Sequence, residues 1–244
     1  MNLIKKIKLL PNAIKGYDRN DPFRNGEYKF LNSYIKSNMI VFDIGANVGD
    51  YTKYILKINP NVKVFCFEPV LKTYNTLIKN LSSEIKDSKV VCNNLALSNE
   101  IGEAEMYIYD DFDGRNSLHF NPVHSYDPKI LHKEKANLTT LDDYVIKNGI
   151  DRIDLLKIDV EGHETRVIEG AANLIKKKMI KCIQFEYNNN WASAEFTLQN
   201  IYNLLSEFGY KFYRLAIWGK IPIKTYNKKL DNYRHSNYIS MLND

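Results

Sequence analysis

Apolar residues fall along this chain in two alternating rhythms. Residues 39–44 (MIVFDI), 62–67 (VKVFCF), 153–160 (IDLLKIDV) and 180–187 (IKCIQFEY) are short runs rich in β-branched and aromatic side chains. Such runs predict strands buried on both faces. Between them lie amphipathic segments. Residues 51–58 predict a helix ended by Asn59-Pro60. Residues 71–81 carry apolar side chains at 71, 74, 77, 78 and 81, a helical spacing. Helices are also predicted over 164–175 and 194–208, the last stopped by Gly209. Residues 89–92 open a further strand, and 103–109 alternate more cleanly, which predicts a more exposed one. The rhythm resumes at 138–145, and 210–216 and 238–242 read as the last strands.

Strand–helix–strand repeated in this way predicts an α/β fold, a parallel sheet with helices on both faces. In such sheets ligands bind beyond the carboxyl ends of the strands. That directs attention to residues 43–49, 68–69, 93–96, 159–164 and 186–190, five segments that each carry polar or small residues directly after an apolar run. Residues 110–136 break the rhythm. They hold Gly114, Pro122, Pro128 and three histidines, His119, His124 and His132. A loop of this length in a compact domain predicts a lid or acceptor-binding segment. Residues 1–37 are expected to be an N-terminal helical extension, and 38–244 a single domain.

Composition narrows the class. With 44% hydrophobic and 26% charged residues, disordered and collagen-like classes are excluded. Lys+Arg 34 against Asp+Glu 29 leaves a formal +5, which suits an anionic small molecule but is too weak to argue for nucleic acid. No segment approaches the ~20 apolar residues of a membrane span, so no stable membrane insertion is expected. The basic start, 1–10, reads as a solvated helix rather than a membrane-surface one. Cys66, Cys92 and Cys182 sit in apolar runs without a CxxC, which predicts reduced core thiols and a cytoplasmic location. Nothing in the sequence sets an oligomeric state.

The first predicted strand runs into Asp43-Ile44-Gly45-Ala46-Asn47-Val48-Gly49. Glycines at a strand-to-helix turn let the backbone approach a ligand closely. The dinucleotide fingerprint needs three glycines; counted from Gly45, its second position is Asn47 and its third Asp50, whose carboxylate disfavours a pyrophosphate. No GK[ST] phosphate loop occurs. Asp43 before the glycines suits a ligand carrying positive charge. Glu68 ends the second strand, where a carboxylate can accept both hydroxyls of a ribose. Adenosine with a cationic, phosphate-free tail describes S-adenosylmethionine. The plain alternative is that Asp43 and Glu68 are strand-end carboxylates that cap helices.

The order VFDIGANVGDYT (41–52), FEP (67–69), NLALSNEIGEAEMYIY (94–109), LTTLDDY (138–144) and LKIDVEGHETRVIEGA (156–171) resembles the FkbM-type methyltransferase family. The resemblance implies a Rossmann-like class I fold: a seven-stranded, mostly parallel sheet whose last strand runs antiparallel. It implies S-adenosylmethionine as cofactor and methyl transfer to an oxygen, often a hydroxyl of a sugar or a secondary metabolite. Position by position, Asp43, Gly45, Ala46, Asn47, Gly49 and Thr52 match the methionine-binding turn. Glu68 matches the ribose ligand, Pro69 and Val70 flank the adenine, and Asn94, Leu95 and Ala96 fall where the third strand meets it. The acceptor expected is a saccharide, sugar nucleotide or glycan precursor. An RNA, protein or secondary-metabolite methyltransferase, an NAD-dependent nucleotide-sugar oxidoreductase and a cofactor-binding protein without catalysis remain alternatives.

Methyl transfer requires an aligned acceptor oxygen and removal of its proton. Lys157, Asp159 and Glu161 alternate along one strand and so point to one side. Asp159, beside the expected sulfonium, and Glu186, at the end of the neighbouring strand, are the candidate catalytic pair. Together with Asn188 or Asn189 they form a possible but not favoured divalent-cation site. The alternative for Lys157 is a buried structural bridge to one of these carboxylates. His163 is a candidate base, against a capping role. Arg115 and His119 in the lid, and Tyr187 and Trp191 after the IQFEY run, are candidate acceptor contacts. The three lid histidines have no cysteine nearby, so no zinc site is expected.

Overall fold

The computed structural model describes residues 20–109, 116–119 and 132–242. The strands are β1 (Ile40–Ile44), β2 (Lys63–Phe67), β3 (Val90–Asn93), β4 (Ala96–Leu97), β5 (Gly102–Ile108), β6 (His132–Thr139), β7 (Leu155–Ile158), β8 (Cys182–Tyr187), β9 (Lys211–Ala216), β10 (Gly219–Ile223) and β11 (Ser236–Met241). The helices are α1 (Pro22–Asn25), α2 (Glu27–Tyr34), α3 (Asp50–Ile58), α4 (Leu71–Asn80), α5 (Ser82–Lys86), α6 (Leu141–Lys147), α7 (Glu164–Glu169), α8 (Ala172–Lys176), α9 (Asn190–Ser193) and α10 (Leu198–Glu207).

The main sheet has the order β10-β9-β11-β8-β7-β1-β2-β3. β3, β2, β1, β7 and β8 are parallel; β11 runs antiparallel to both β8 and β9, and β10 antiparallel to β9. The sheet is therefore eight-stranded rather than seven-stranded, the extra strand being the hairpin arm β10. Its alternate residues are all partly or fully exposed and it contains Pro222, so it lacks the apolar run that marks an inner strand. A second, three-stranded sheet, β4-β6-β5, takes up the end of the expected lid: His132 and the four residues after it are strand, not loop.

The chain lays down β1, β2 and β3 in one direction across the sheet and then returns to place β7 on the other side of β1. The β1/β7 boundary is thus the switch point of a doubly wound sheet, where ligands lodge. Alternation along β1 serves both layers. Phe42 and Ile44 join the core that holds Leu156, Phe185 and Trp191. Val41 joins the opposite core with Ile55, Leu77 and Leu155. The helix expected over 164–175 is two helices, α7 and α8, parted at Gly170 and Ala171; Gly170 packs so close to the Ser98 carbonyl that a side chain would overlap it. The helix expected over 194–208 starts at Leu198, where Thr197 and Asn200 form a capping box. The short α9 precedes it. All three cysteines are unpaired. No helix among the described residues is long and apolar enough to cross a membrane.

Candidate functional site

Two hollows meet at the carboxyl ends of β1 and β7. The first is a cleft floored by Gly45, Asn47 and Phe67, with Glu68 and Pro69 on one wall and Leu95, Leu97 and Met106 on the other. The second is polar, about 190 Å³, and walled by Asn25, Glu27, Glu161, Glu186 and Asn237. Gly45, Asn47 and Asp159 line both. A molecule in one hollow can therefore meet a molecule in the other across these three residues.

The turn after β1 is shaped by left-handed backbone at Gly45 (φ 77), Asn47 (φ 48) and Gly49 (φ 94). Glu68 holds it: its Oε2 accepts the Asn47 N–H at 3.0 Å and its Oε1 the Val70 N–H at 3.0 Å. Each oxygen keeps a second lone pair, so the carboxylate can still accept two ligand hydroxyls. Burial pushes its pKa up to about 7 against the two backbone donors. The apolar wall opposite suits a flat ring.

Several residues assigned by resemblance lie behind this surface rather than on it. Asp43 is fully buried and accepts the Thr52 hydroxyl at 2.7 Å. Ala46 is buried, and Gly49 packs against Leu77 and Leu81. Asn94 donates to the Glu68 and Pro69 carbonyls at 2.9 and 2.8 Å, so it braces the wall. Lys157 lies 3.1 Å from Asp159 and 3.6 Å from Asp43, with its ammonium 4.9 Å over the Tyr51 ring. Burial lowers its pKa, but Asp159, Asp43 and Glu27 outweigh that and hold it above the ordinary lysine range. Lys157 is thus the bridge between the two carboxylates, and it fixes Asp159 at the meeting point of the hollows.

The loop after β7 is tied down by Glu164, whose carboxylate accepts Val160 N–H at 3.0 Å and Gly162 N–H at 2.9 Å. Its burial pushes its pKa up to about 8. His163 lines the first hollow, but both ring nitrogens are engaged, with Ser98 Oγ at 3.0 Å and His119 Nε2 at 2.9 Å. Burial pushes its pKa down to about 3. Both nitrogens of this neutral imidazole are thus committed within the protein. His119 works with Ser117, which donates to the Glu161 carbonyl at 2.8 Å, to pin residues 116–119 on this loop.

Glu186 lines the polar hollow and bonds to Asn188 Nδ2 at 2.8 Å and His235 Nε2 at 2.9 Å. Tyr187 and Trp191, expected as acceptor contacts, are fully buried core residues. Trp191 donates to the Glu186 carbonyl at 3.1 Å and so supports the strand end from behind. Arg115 lies outside the described residues, as do His124 and residues 1–19 of the expected extension. Asp159, Glu161 and Glu186 bring one carboxylate oxygen each within 4.8 Å of one another, a donor set suited to a hard divalent cation. Glu161 and Glu186 are also hydrogen-bonded to Asn188, and Glu161 to Asn190.

The wall formed by Asn25, Glu27 and Asn237 is absent from the sequence expectations. Asn25 and Glu27 sit at the ends of short helices before the recurring pattern begins, and Asn237 in a strand read only from 238 onward.

Comparison with known proteins was consistent with this geometry. The model of the methyltransferase FkbM domain matches residues 43–212. The methyltransferase sdnD of Sordaria araneosa is 28% identical over 160 residues, 56% of this chain and 62% of that protein. The 2-O-methyltransferase NoeI of Sinorhizobium fredii is 24% identical, covering 71% and 73%. The hexuronic acid methyltransferase AglP of Haloferax volcanii is 24% identical, covering 56% and 52%. This chain spans 62%, 57% and 59% of the lengths of the first three curated relatives it matches. The crystal structure of methyltransferase FkbM from Methylobacillus flagellatus shares the fold, with a TM-score of 0.51 at 14% identity, covering 83% of this chain and 43% of that one.

Proposed function

The chain belongs to the FkbM methyltransferase family, and on that premise we propose that it is an S-adenosylmethionine-dependent O-methyltransferase acting on a hydroxyl of a saccharide or glycan precursor. The observation that carries this is the meeting of an adenosine-shaped cleft and a polar hollow at Gly45, Asn47 and Asp159. The cleft fits the cofactor on the chemistry of its lining. Glu68 offers a carboxylate to two ribose hydroxyls, the walls from Pro69, Leu95 and Leu97 suit a purine, and Asp159 places negative charge where a sulfonium would lie.

When bound, S-adenosylmethionine supplies an electrophilic methyl group on positively charged sulfur. Asp159, held by Lys157, faces both hollows and can orient that group. Glu186 stands on the acceptor side and can take the proton of the attacking hydroxyl; a positioned general base contributes about 10²–10⁴-fold. The larger share comes from alignment across the shared residues. The hydroxyl acceptor is supported by the names of two relatives, a 2-O-methyltransferase and a hexuronic acid methyltransferase, and by the hydrogen-bonding lining of the second hollow. Incubation with methyl-labelled S-adenosylmethionine and fractionated cell-surface glycan precursors tests the reading: transfer of label to an oxygen of a sugar supports it, and label on RNA or protein alone refutes it.

A further inference from the structure

The acceptor hollow is closed by the two ends of the described chain, both outside residues 43–212 of the family match. Asn25 and Glu27 come from the turn between α1 and α2, and Asn237 from β11. The turn is seated firmly. Gly26 (φ 97) lies so close to β9 that a Cβ would overlap the Ala216 backbone, and Gln184 Nε2 donates to Glu27 Oε1 at 2.5 Å.

These side chains are built into the wall yet keep polar atoms for a ligand. Asn25 is 2% exposed; its Oδ1 accepts the Glu27 N–H at 2.8 Å, and its Nδ2 donates to none of the described residues. Glu27 Oε2 likewise takes no hydrogen bond from them. Asn237 is 5% exposed, stands opposite Glu186 in the β8–β11 register, and its side-chain amide has no partner among the described residues. These built-in polar groups line the hollow and suit a polar occupant. A hollow of about 190 Å³ has room for several waters at ~30 Å³ each, which a polyol can displace.

Resting on the function proposed above, we propose that Asn25, Glu27 and Asn237 are acceptor-binding residues, and that with Asp159, Glu161 and Glu186 they select an acceptor whose reacting end is a neutral or amine-bearing polyol. Four carboxyl groups in one hollow offer acceptors to hydroxyl and ammonium donors and disfavour phosphate and carboxylate groups. The chain would then differ in acceptor charge from its relative named for a hexuronic acid.

The test uses the full chain with a chelator present, with and without S-adenosylhomocysteine, and measures binding of four probes by ligand-observed NMR: methyl glucoside, glucosamine, glucuronic acid and glucose 1-phosphate. The first two are expected to bind, and the two anions at least about tenfold more weakly. Glu27→Gln, Asn25→Ala and Asn237→Ala should each weaken the first two by roughly tenfold, the size of one lost hydrogen bond to a charged or buried group, while leaving S-adenosylhomocysteine affinity unchanged. Anions binding as well as or better than the neutral probe, no probe binding, or unaltered probe affinity in all three variants overturns the inference. Should one variant fail to fold, the charge selectivity of the unmodified chain still decides. Failure of S-adenosylhomocysteine to bind the unmodified chain would instead sink the cofactor reading, so the two failures are separable.

Discussion

Gly45 passes directly beneath the carbonyl of Asp159, so closely that a β-carbon on Gly45 would overlap that oxygen. The two loops that follow β1 and β7 are therefore in backbone contact, and the residue at the junction of both hollows depends on a missing side chain. Gly45 also adopts φ 77, which L residues rarely hold. Gly45→Ala should cost about 1–3 kcal/mol for the backbone alone, and relief of the overlap must displace Asp159. The expected result is a lower melting temperature together with loss of S-adenosylhomocysteine binding.

Lys157 neutralises Asp43, which is buried completely. Removing one member of a buried ion pair strands the other charge, at about 3–5 kcal/mol. Lys157→Met should destabilise the chain by that order in urea denaturation. Asp43→Asn combined with Lys157→Met should recover part of the loss, since the stranded carboxylate is then gone.

Burial raises the pKa values of Glu27 and Glu68 to about 7 and of Glu164 to about 8. Carboxyls raised on folding hold more protons in the native state than in the unfolded one, so stability falls as pH rises through these values. His163, pushed down to about 3, acts in the opposite sense, but only below its unfolded pKa of ~6.5. The ligand-free chain should therefore melt at progressively lower temperature between about pH 6.5 and pH 8. Glu164→Gln should flatten that slope; a melting temperature that climbs over the same interval contradicts the assignment.

Both nitrogens of His163 are engaged, one of them with His119, so a positioning part for it is expected rather than that of a base. His163→Gln should lower kcat by less than about tenfold, against the ~10²–10⁴-fold expected for loss of a general base. The plateau of the pH–rate profile should keep its position in this variant.

Much of this arrangement was legible in the sequence because buried strands leave continuous apolar runs. β1, β2, β7 and β8 all stood out, and the polar residues at or just after their carboxyl ends, Asp43, Glu68, Asp159 and Glu186, follow from the rule that ligands sit there. What the pattern could not show was depth. Asp43 and Glu68 end neighbouring strands, yet pleat and turn place one behind the sheet surface and the other in the cleft. Tyr187 and Trp191 resembled acceptor contacts because they follow an apolar run, but a short helix, α9, folds Trp191 back into the core. Asn25, Glu27 and Asn237 reach the hollow through long-range docking of both chain ends, which leaves no local period. β6 and β10 were hidden by half-exposed, lysine-bearing sequences.

The most direct measurement is a calorimetric titration of S-adenosylhomocysteine into the full chain and into Glu68→Gln, repeated across pH. Binding should be stoichiometric in the unmodified chain and tighten as pH rises from about 6 to 8, as Glu68 ionises. Glu68→Gln should weaken it by roughly tenfold to hundredfold, the range for hydrogen bonds to a charged group, and abolish the pH dependence. Equal affinity in the two proteins would contradict the placement of an adenosyl ribose against Glu68.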